Sequence, residues 1–301
     1  MPKSRRAGTK VGAGEKGYTM QFRALLVGDV VGKPGRRALA VSLPGLLADR
    51  SIDVVIVNGE NVAGGSGITP ALFEEFRALG VDVVTMGDHV FRRREILPLL
   101  AESDRILRPA NLPPEAAGRG WTVLESPSGF PFAVVNLLGR TFMKPAGDCP
   151  FHAADRALAE IGDRAKLIFV DFHAEATSER IAMGWHLNGR TTCVYGTHTH
   201  VQTADERVLP GGTAYISDLG MTGPHDSILG RKKEKVLSVF VTGMPTHFDV
   251  ATADARLSGA LVTADTQTGR ASAIERLSLP IHEPTAKPDE SEDAEPADGE
   301  S

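Results

Sequence analysis

Two histidines one residue apart, in Gly196-Thr197-His198-Thr199-His200, follow the apolar run Thr192-Cys193-Val194-Tyr195. From a strand end both imidazoles can be aimed at metal, an arrangement with little purely structural use. Four other apolar runs end in the same way. Leu25-Leu26-Val27 passes into Gly28-Asp29, Val54-Val55-Ile56-Val57 into Asn58-Gly59-Glu60-Asn61, Val83-Val84-Thr85-Met86 into Gly87-Asp88-His89, and Leu167-Ile168-Phe169-Val170 into Asp171-Phe172-His173. Five strands thus deliver Asp, Glu, Asn or His at their C-terminal ends, where open α/β sheets keep their sites. A glutamate directly after a buried strand must be paired, hydrogen-bonded or metal-bound to escape its desolvation cost, which makes Glu60 the most telling carboxylate.

The donor set is Asp29, Glu60, Asn61, Asp88, His173, His198 and His200. These are hard carboxylates, imidazoles and one amide with no thiolate, which suits iron, manganese or zinc better than copper or an iron–sulfur cluster. Seven donors exceed what one metal needs, so two metals bridged by a carboxylate and a hydroxide are the economical solution. His89 reads as catalytic rather than as a capping residue because it stands inside this constellation. His152, His186, His247 and His282 read as ordinary surface or core residues, and His225 closes a glycine-rich loop that borders the site. Gly28 to Pro34 superficially resembles a phosphate-binding P-loop. It has three residues between its glycines instead of four and proline after Lys33, so a nucleoside-triphosphatase is excluded.

The elements that must position these residues begin as an alternation of strand and helix. Strands are predicted near 22–28, 53–58 and 81–87, with helices near 35–49, 70–79 and 93–101. Thr69-Pro70 is a helix start and Gly80 a stop. Beyond Arg105 the pattern predicts mainly short strands, including 121–124, 132–137, 167–172, 191–195, 213–217, 236–241, 259–263 and 272–278, interrupted by helices near 151–161 and 178–187. The result is an α/β domain of two packed sheets with helices outside.

Composition limits what such a domain does. At 301 residues, 42% hydrophobic and 24% charged, the chain can bury a sizeable core. A formal charge of -5 gives no clear nucleic-acid surface. No apolar stretch is long enough for a membrane span. Two cysteines, Cys149 and Cys193, match neither a disulfide framework nor a zinc motif, which points to a reducing, cytoplasmic compartment. Residues 1–19 read as a disordered leader, 20–282 as the folded domain and 283–301 as a disordered acidic tail.

At the level of motifs the chain resembles the YmdB-like branch of the calcineurin-type metallophosphoesterases, bacterial proteins described as 2′,3′-cyclic-nucleotide 2′-phosphodiesterases. The resemblance rests on Gly28-Asp29-Val30-Val31-Gly32-Lys33-Pro34-Gly35-Arg36, Asn58-Gly59-Glu60-Asn61, Asp171 to Glu179, and Gly196 to Glu206. It implies a four-layer αββα sandwich in a single domain with a dinuclear centre, iron first and manganese or zinc as alternatives. By that resemblance Asp29 and His200 hold one metal with help from Asn61, Glu60 bridges, Asp88, His173 and His198 hold the second, and His89 is the general acid. It further implies hydrolysis of a small cyclic nucleotide or related phosphodiester by a metal-bridging hydroxide, in a homo-oligomer. A phosphomonoesterase and a metal-bound nucleotide-binding regulatory scaffold are the competing readings. The family commonly has Gly-Asn-His where this chain has Gly87-Asp88-His89; the extra carboxylate lowers the charge of the metal pair and its ligands by one and favours a more highly charged metal.

Overall fold

A computed structural model describes residues 20–144 and 147–281; the predicted leader 1–19 and tail 283–301 lie outside them. The first part of the chain runs β1 (Gln21–Val27), α1 (Gly32–Asp49), β2 (Val54–Asn58), α2 (Pro70–Leu79), β3 (Val83–Thr85), α3 (Leu97–Glu102) and β4 (Ile106–Leu107). There follow β5 (Trp121–Glu125), β6 (Pro131–Leu138), α4 (Pro150–Ile161), β7 (Leu167–His173), α5 (Thr177–His186), β8 (Cys193–Thr197), β9 (Arg207–Val208), β10 (Ala214–Ile216), β11 (Gly223–Pro224), α6 (Lys233–Thr242), β12 (Ala255–Asp265) and β13 (Ala271–Pro280).

The strands form two sheets. One has the order β11-β12-β1-β2-β3-β4, with β13 paired to β12, and the other β5-β6-β7-β8-β10-β9. β1 to β4 run parallel, as do β6, β7, β8 and β10, so in each sheet a block of strands ends on a common edge.

Strand alternation decides the layering. In β1, Phe22, Ala24 and Leu26 face the second sheet and pack with Phe132, Phe169 and Tyr195, while Leu25 and Val27 face outward and pack with Leu39, Leu43 and Phe76 of α1 and α2. In the second sheet Val135, Val170 and Val194 face outward onto Ala153, Ala157 and Met183 of α4 and α5. Three apolar clusters thus separate four layers, αββα. Burial of the sheet faces against each other and against helices is what makes the strand runs nearly continuous in apolar residues rather than alternating.

The predicted cap of α2 is present: the Thr69 hydroxyl accepts from the Leu72 amide at 3.3 Å, and Gly80 closes the helix in the left-handed region at φ 97°. The strand predicted over 236–241 is instead helix α6. Among the described residues no strand pairs with this segment, and the preceding Lys-Glu-Lys and the left-handed Gly243 favour one short helix. Only Val236 of that helix is buried, and Phe240 and Val241 stay more than four-fifths exposed.

Candidate metal centre

All eight residues singled out by sequence come together on one edge of the sandwich. Asp29 follows β1, Glu60 and Asn61 follow β2, Asp88 and His89 follow β3, His173 ends β7, and His198 and His200 lie in the turn after β8. Both sheets therefore contribute, three strands from one and two from the other. The approach is close enough that a Cβ at Gly87 would overlap Glu60 Oε2 and the His173 ring, so only glycine fits there. His198 and His200 adopt left-handed backbone angles, φ 108° and 62°, a strain that persists only where surroundings enforce it.

Glu60, Asp88, His173 and His198 present donor atoms that all lie within 4.8 Å of one another. His173 Nε2 is 3.2 Å from Glu60 Oε1, 3.2 Å from Asp88 Oδ1 and 3.1 Å from His198 Nδ1. On the other side Asn61 Nδ2 is 3.1 Å from His200 Nε2, which stands 3.8 Å from Asp29 Oδ1. Glu60 links the halves, since its Oε1 is also 3.1 Å from Asn61 Nδ2. His89 lies over both, with Nδ1 at 2.8 Å from Asn61 Oδ1 and Nε2 at 3.6 Å from Asp88 Oδ2.

Partners behind the rings fix which nitrogen faces inward. The Thr197 hydroxyl donates to Asp171 Oδ1 at 2.7 Å and accepts from His173 Nδ1–H at 2.8 Å, leaving Nε2 toward the carboxylates. His200 Nδ1–H donates to the Leu229 carbonyl at 3.0 Å, which again leaves Nε2 inward. His198 is reversed: Nε2 is 3.2 Å from Glu175 Oε2 and Nδ1 faces the cluster. Oriented this way, Nε2 of His173 and of His200 and Nδ1 of His198 face the same space, and each would offer a lone pair there once its ring is neutral, the usual condition of a metal-ligating histidine.

The electrostatics ask for positive charge in that space. Burial alone would push the Glu60 carboxyl up, yet the adjacent His173 cation outweighs it and holds Glu60 low. Conversely, burial would lower His173, but Glu60 and Asp88 raise it well above the usual histidine value. Asp88 is held below the carboxylate range because His173, His89 and His198 outweigh its burial. A proton on a fully buried ring thus does for three carboxylates what a metal cation would do. Asp29, which burial pushes up to about 6 against the opposing influence of His200 and His173, has an Oδ1 that is buried and receives no hydrogen bond among the described residues. Burial and the neighbouring His173 cation lower His198 to about 4, so its ring is neutral at neutral pH. An orphaned carboxylate oxygen, inward lone pairs and oxygen-rich donors fit a divalent or trivalent metal.

Arg180 and Asp218 hold the histidine turns in place. Inside the protein, Arg180 Nε donates to Ala174 O at 2.7 Å, Nη1 to Ser217 O and Asp218 Oδ2 at 2.6 Å each, and Nη2 to Thr197 O at 2.7 Å. Asp218 Oδ2 in turn accepts from the Thr199 amide at 3.0 Å. Removing one partner of such a pair strands the other as an unpaired buried charge. Arg180→Met is therefore expected to lower unfolding free energy by about 3–5 kcal/mol, and Arg180→Met/Asp218→Asn to recover part of it. Chemical denaturation would measure both; a loss below about 1 kcal/mol for the single variant would show that the pair carries no such burden.

A sequence model of the YmdB-like protein family matches residues 25–277. The chain belongs to that family. It is 46% identical over 256 residues to a Bacillus subtilis (strain 168) protein named 2′,3′-cyclic-nucleotide 2′-phosphodiesterase, covering 85% of this chain and 96% of that one. Among solved structures, a hypothetical protein from Thermus thermophilus superposes with a TM-score of 0.80 at 41% identity, covering 86% and 99% of the two chains. A protein of Mycoplasma pneumoniae described as a novel phosphatase gives 0.82 at 33% identity, covering 87% and 95%.

Around the YmdB-like motifs stand residues to which sequence alone gave no role: Thr197, Asp171, Glu175, Arg180 and the Leu229 carbonyl. Asp171 was legible in principle, because it lies two residues before His173 and so on the same face of β7. Asp218 and Asn111, which have no role in the sequence reading, both brace backbone: Asn111 Nδ2 donates to Leu138 O at 2.8 Å. His225 is outside the cluster and its Nδ1–H donates to Gly223 O at 3.0 Å.

Proposed function

We propose that this YmdB-like chain is a metal-dependent phosphodiesterase that opens 2′,3′-cyclic nucleotides. The observation that carries the reading is the convergence of three carboxylates and three inward-oriented imidazoles beneath a partly exposed histidine. Two metals, iron first with manganese or zinc as alternatives, would be held by Asp29, Asn61 and His200 on one side and by Asp88, His173 and His198 on the other, with Glu60 shared. When bound, they would supply Lewis acidity: positive charge opposite the phosphate oxygens and a more acidic attacking water.

The remaining chemistry belongs to the chain. His89 keeps Nδ1–H on the Asn61 amide oxygen, so protonated His89 carries its transferable proton on Nε2. That proton goes to the departing 2′-oxygen as the P–O2′ bond breaks and water adds to phosphorus. Ring opening needs one attack and one proton, which matches a site with a single positioned acid. The relative's activity on 2′,3′-cyclic nucleotides supports the substrate class. Comparing turnover of 2′,3′-cyclic AMP and bis(p-nitrophenyl) phosphate with p-nitrophenyl phosphate tests it. Faster diester and cyclic turnover is expected; faster monoester turnover would move the chain to the phosphomonoesterase reading, and metal content without hydrolysis would leave the regulatory scaffold.

Asp88 tunes this site. With Asp29, Glu60 and Asp88 ionised, the negative charge among the ligands is one greater than with the family's usual asparagine, so metal is held more tightly and a phosphate anion less. Asp88→Asn is expected to loosen metal by at least about tenfold and to lower KM for anionic diesters when assayed at saturating metal. Unchanged metal affinity together with unchanged KM would place Asp88 outside the coordination sphere.

A cytoplasmic setting is supported by the two free cysteines, Cys193 being inert in the core, where burial pushes its thiol far up. Among the described residues no helix is long and apolar enough to cross a membrane. The exposed apolar side of α6, with Leu237, Phe240 and Val241, supports assembly with further copies of the chain.

A further inference from the structure

Edge strands β4 and β5 converge with α4 around a cavity of 680 Å³. None of the eight residues of the metal centre lines it. Its volume suits a small-molecule ligand. Ala153 and Ala157 of α4 and Val123 of β5 give it an apolar wall.

Arg108, just past β4, lines this cavity and is 6% exposed. Its Nη1 donates to Pro109 O at 2.8 Å and its Nε to Ala116 O at 3.3 Å. Those two carbonyls use part of the guanidinium's five N–H groups and none of its charge, and among the described residues no carboxylate pairs with it. Burial lowers its proton affinity with no neighbouring anion to oppose that. A cation taken out of water in this way is costly unless a counter-charge joins it.

A second cation lines the same cavity. The Arg108 amide donates to Arg119 O at 3.0 Å, so the two residues are neighbours across the chain, and Arg119 lines the same cavity. Arg119 is exposed and makes no side-chain hydrogen bond or ion pair among the described residues. Most of the other charges of the lining have partners of their own. Asp148 pairs with Arg156 at 3.9 Å, Asp104 with Arg105 at 3.9 Å, and Arg164 stacks over Trp121 at 5.0 Å. Glu160 remains on the rim with a carboxylate that has no cation partner among the described residues, so a ligand that carries donors beside its anion matches the cavity better than a bare anion.

We propose that this cavity is a second binding site, for the phosphomonoester of a small hydroxylated molecule such as a sugar phosphate or nucleotide, with the phosphoryl group between Arg108 and Arg119 and a ligand hydroxyl at Glu160. Guanidinium groups present the N–H forks that phosphate oxygens accept. The site is independent of the phosphodiesterase reading, because it shares no residue with the metal centre.

Ribose 5-phosphate titrated calorimetrically into the metal-loaded protein tests this, with Arg119→Gln as the principal variant because its exposed side chain is not needed for folding. The wild type is expected to show a binding event that Arg119→Gln and Arg108→Gln each weaken about tenfold or more, while hydrolysis of bis(p-nitrophenyl) phosphate by Arg119→Gln stays unchanged. Equal affinity and stoichiometry in wild type and Arg119→Gln would overturn the site. Inorganic phosphate binding as tightly as ribose 5-phosphate would overturn the hydroxylated ligand. A crystal soaked with ribose 5-phosphate that shows density at the metals alone would also overturn the proposal.

Discussion

Glu60→Gln is expected to lose metal and activity together while the fold survives. Glu60 is 1% exposed and reaches both halves of the centre, with Oε1 at 3.1 Å from Asn61 Nδ2 and at 3.2 Å from His173 Nε2. Glutamine keeps its volume and hydrogen-bonding reach but removes the charge that both proposed metals share. Activity should fall by about 10³-fold, the scale on which preorganised charge acts on a developing anion. Thermal unfolding of the metal-free variant should come at a lower temperature than that of the metal-free wild type, because the buried His173 ring loses the carboxylate that favours its charged form and that it holds low in turn. Metal analysis decides the matter: two metals per chain at full occupancy in Glu60→Gln would make the shared-ligand role wrong.

His89→Ala should separate metal binding from chemistry. Its ring sits over the cluster, with Nδ1 at 2.8 Å from Asn61 Oδ1 and 3.5 Å from Glu60 Oε1, and its side chain is 27% exposed, so removing it leaves the seven proposed ligands in place. Both metals should remain. Hydrolysis of a 2′,3′-cyclic nucleotide, whose alkoxide leaving group needs a proton, should slow by about 10²–10⁴-fold. For a diester with a p-nitrophenolate leaving group, which departs without protonation, the loss should be much smaller. Equal losses for the two substrates would remove His89 from the role of acid and leave it as a binding group.

These two substitutions act on residues that are legible in the sequence itself, for a physical reason. A strand buried on both faces is an unbroken apolar run, so a carboxylate or imidazole at its end is conspicuous; Asp29, Glu60, Asp88, His173 and His198 are all found in that way. The helix signals are equally local. Thr69, Pro70 and Gly80 mark the ends of α2 by the backbone conformations they favour. The same locality explains the miss at α6. An apolar run of Val, Leu and Phe has strand composition, and whether it becomes a strand depends on a partner strand that the run itself cannot encode.

Sequence by itself therefore determined the fold class, the two-sheet architecture and the identity of the residues that meet, because each of these follows from periodicity and from the residue type at a strand end. Tertiary structure alone decided how they meet. That Glu60 lies between two halves of the centre, that Thr197 and Asp171 turn His173 one way while Glu175 turns His198 the other, and that Arg180 ties Ala174, Thr197 and Asp218 together are contacts between segments tens of residues apart. That Arg108 has no carboxylate partner among the described residues likewise emerges only when every neighbour is in place. Periodicity encodes which face of an element is buried, whereas the partner of a buried charge is fixed by the packing of all the elements at once.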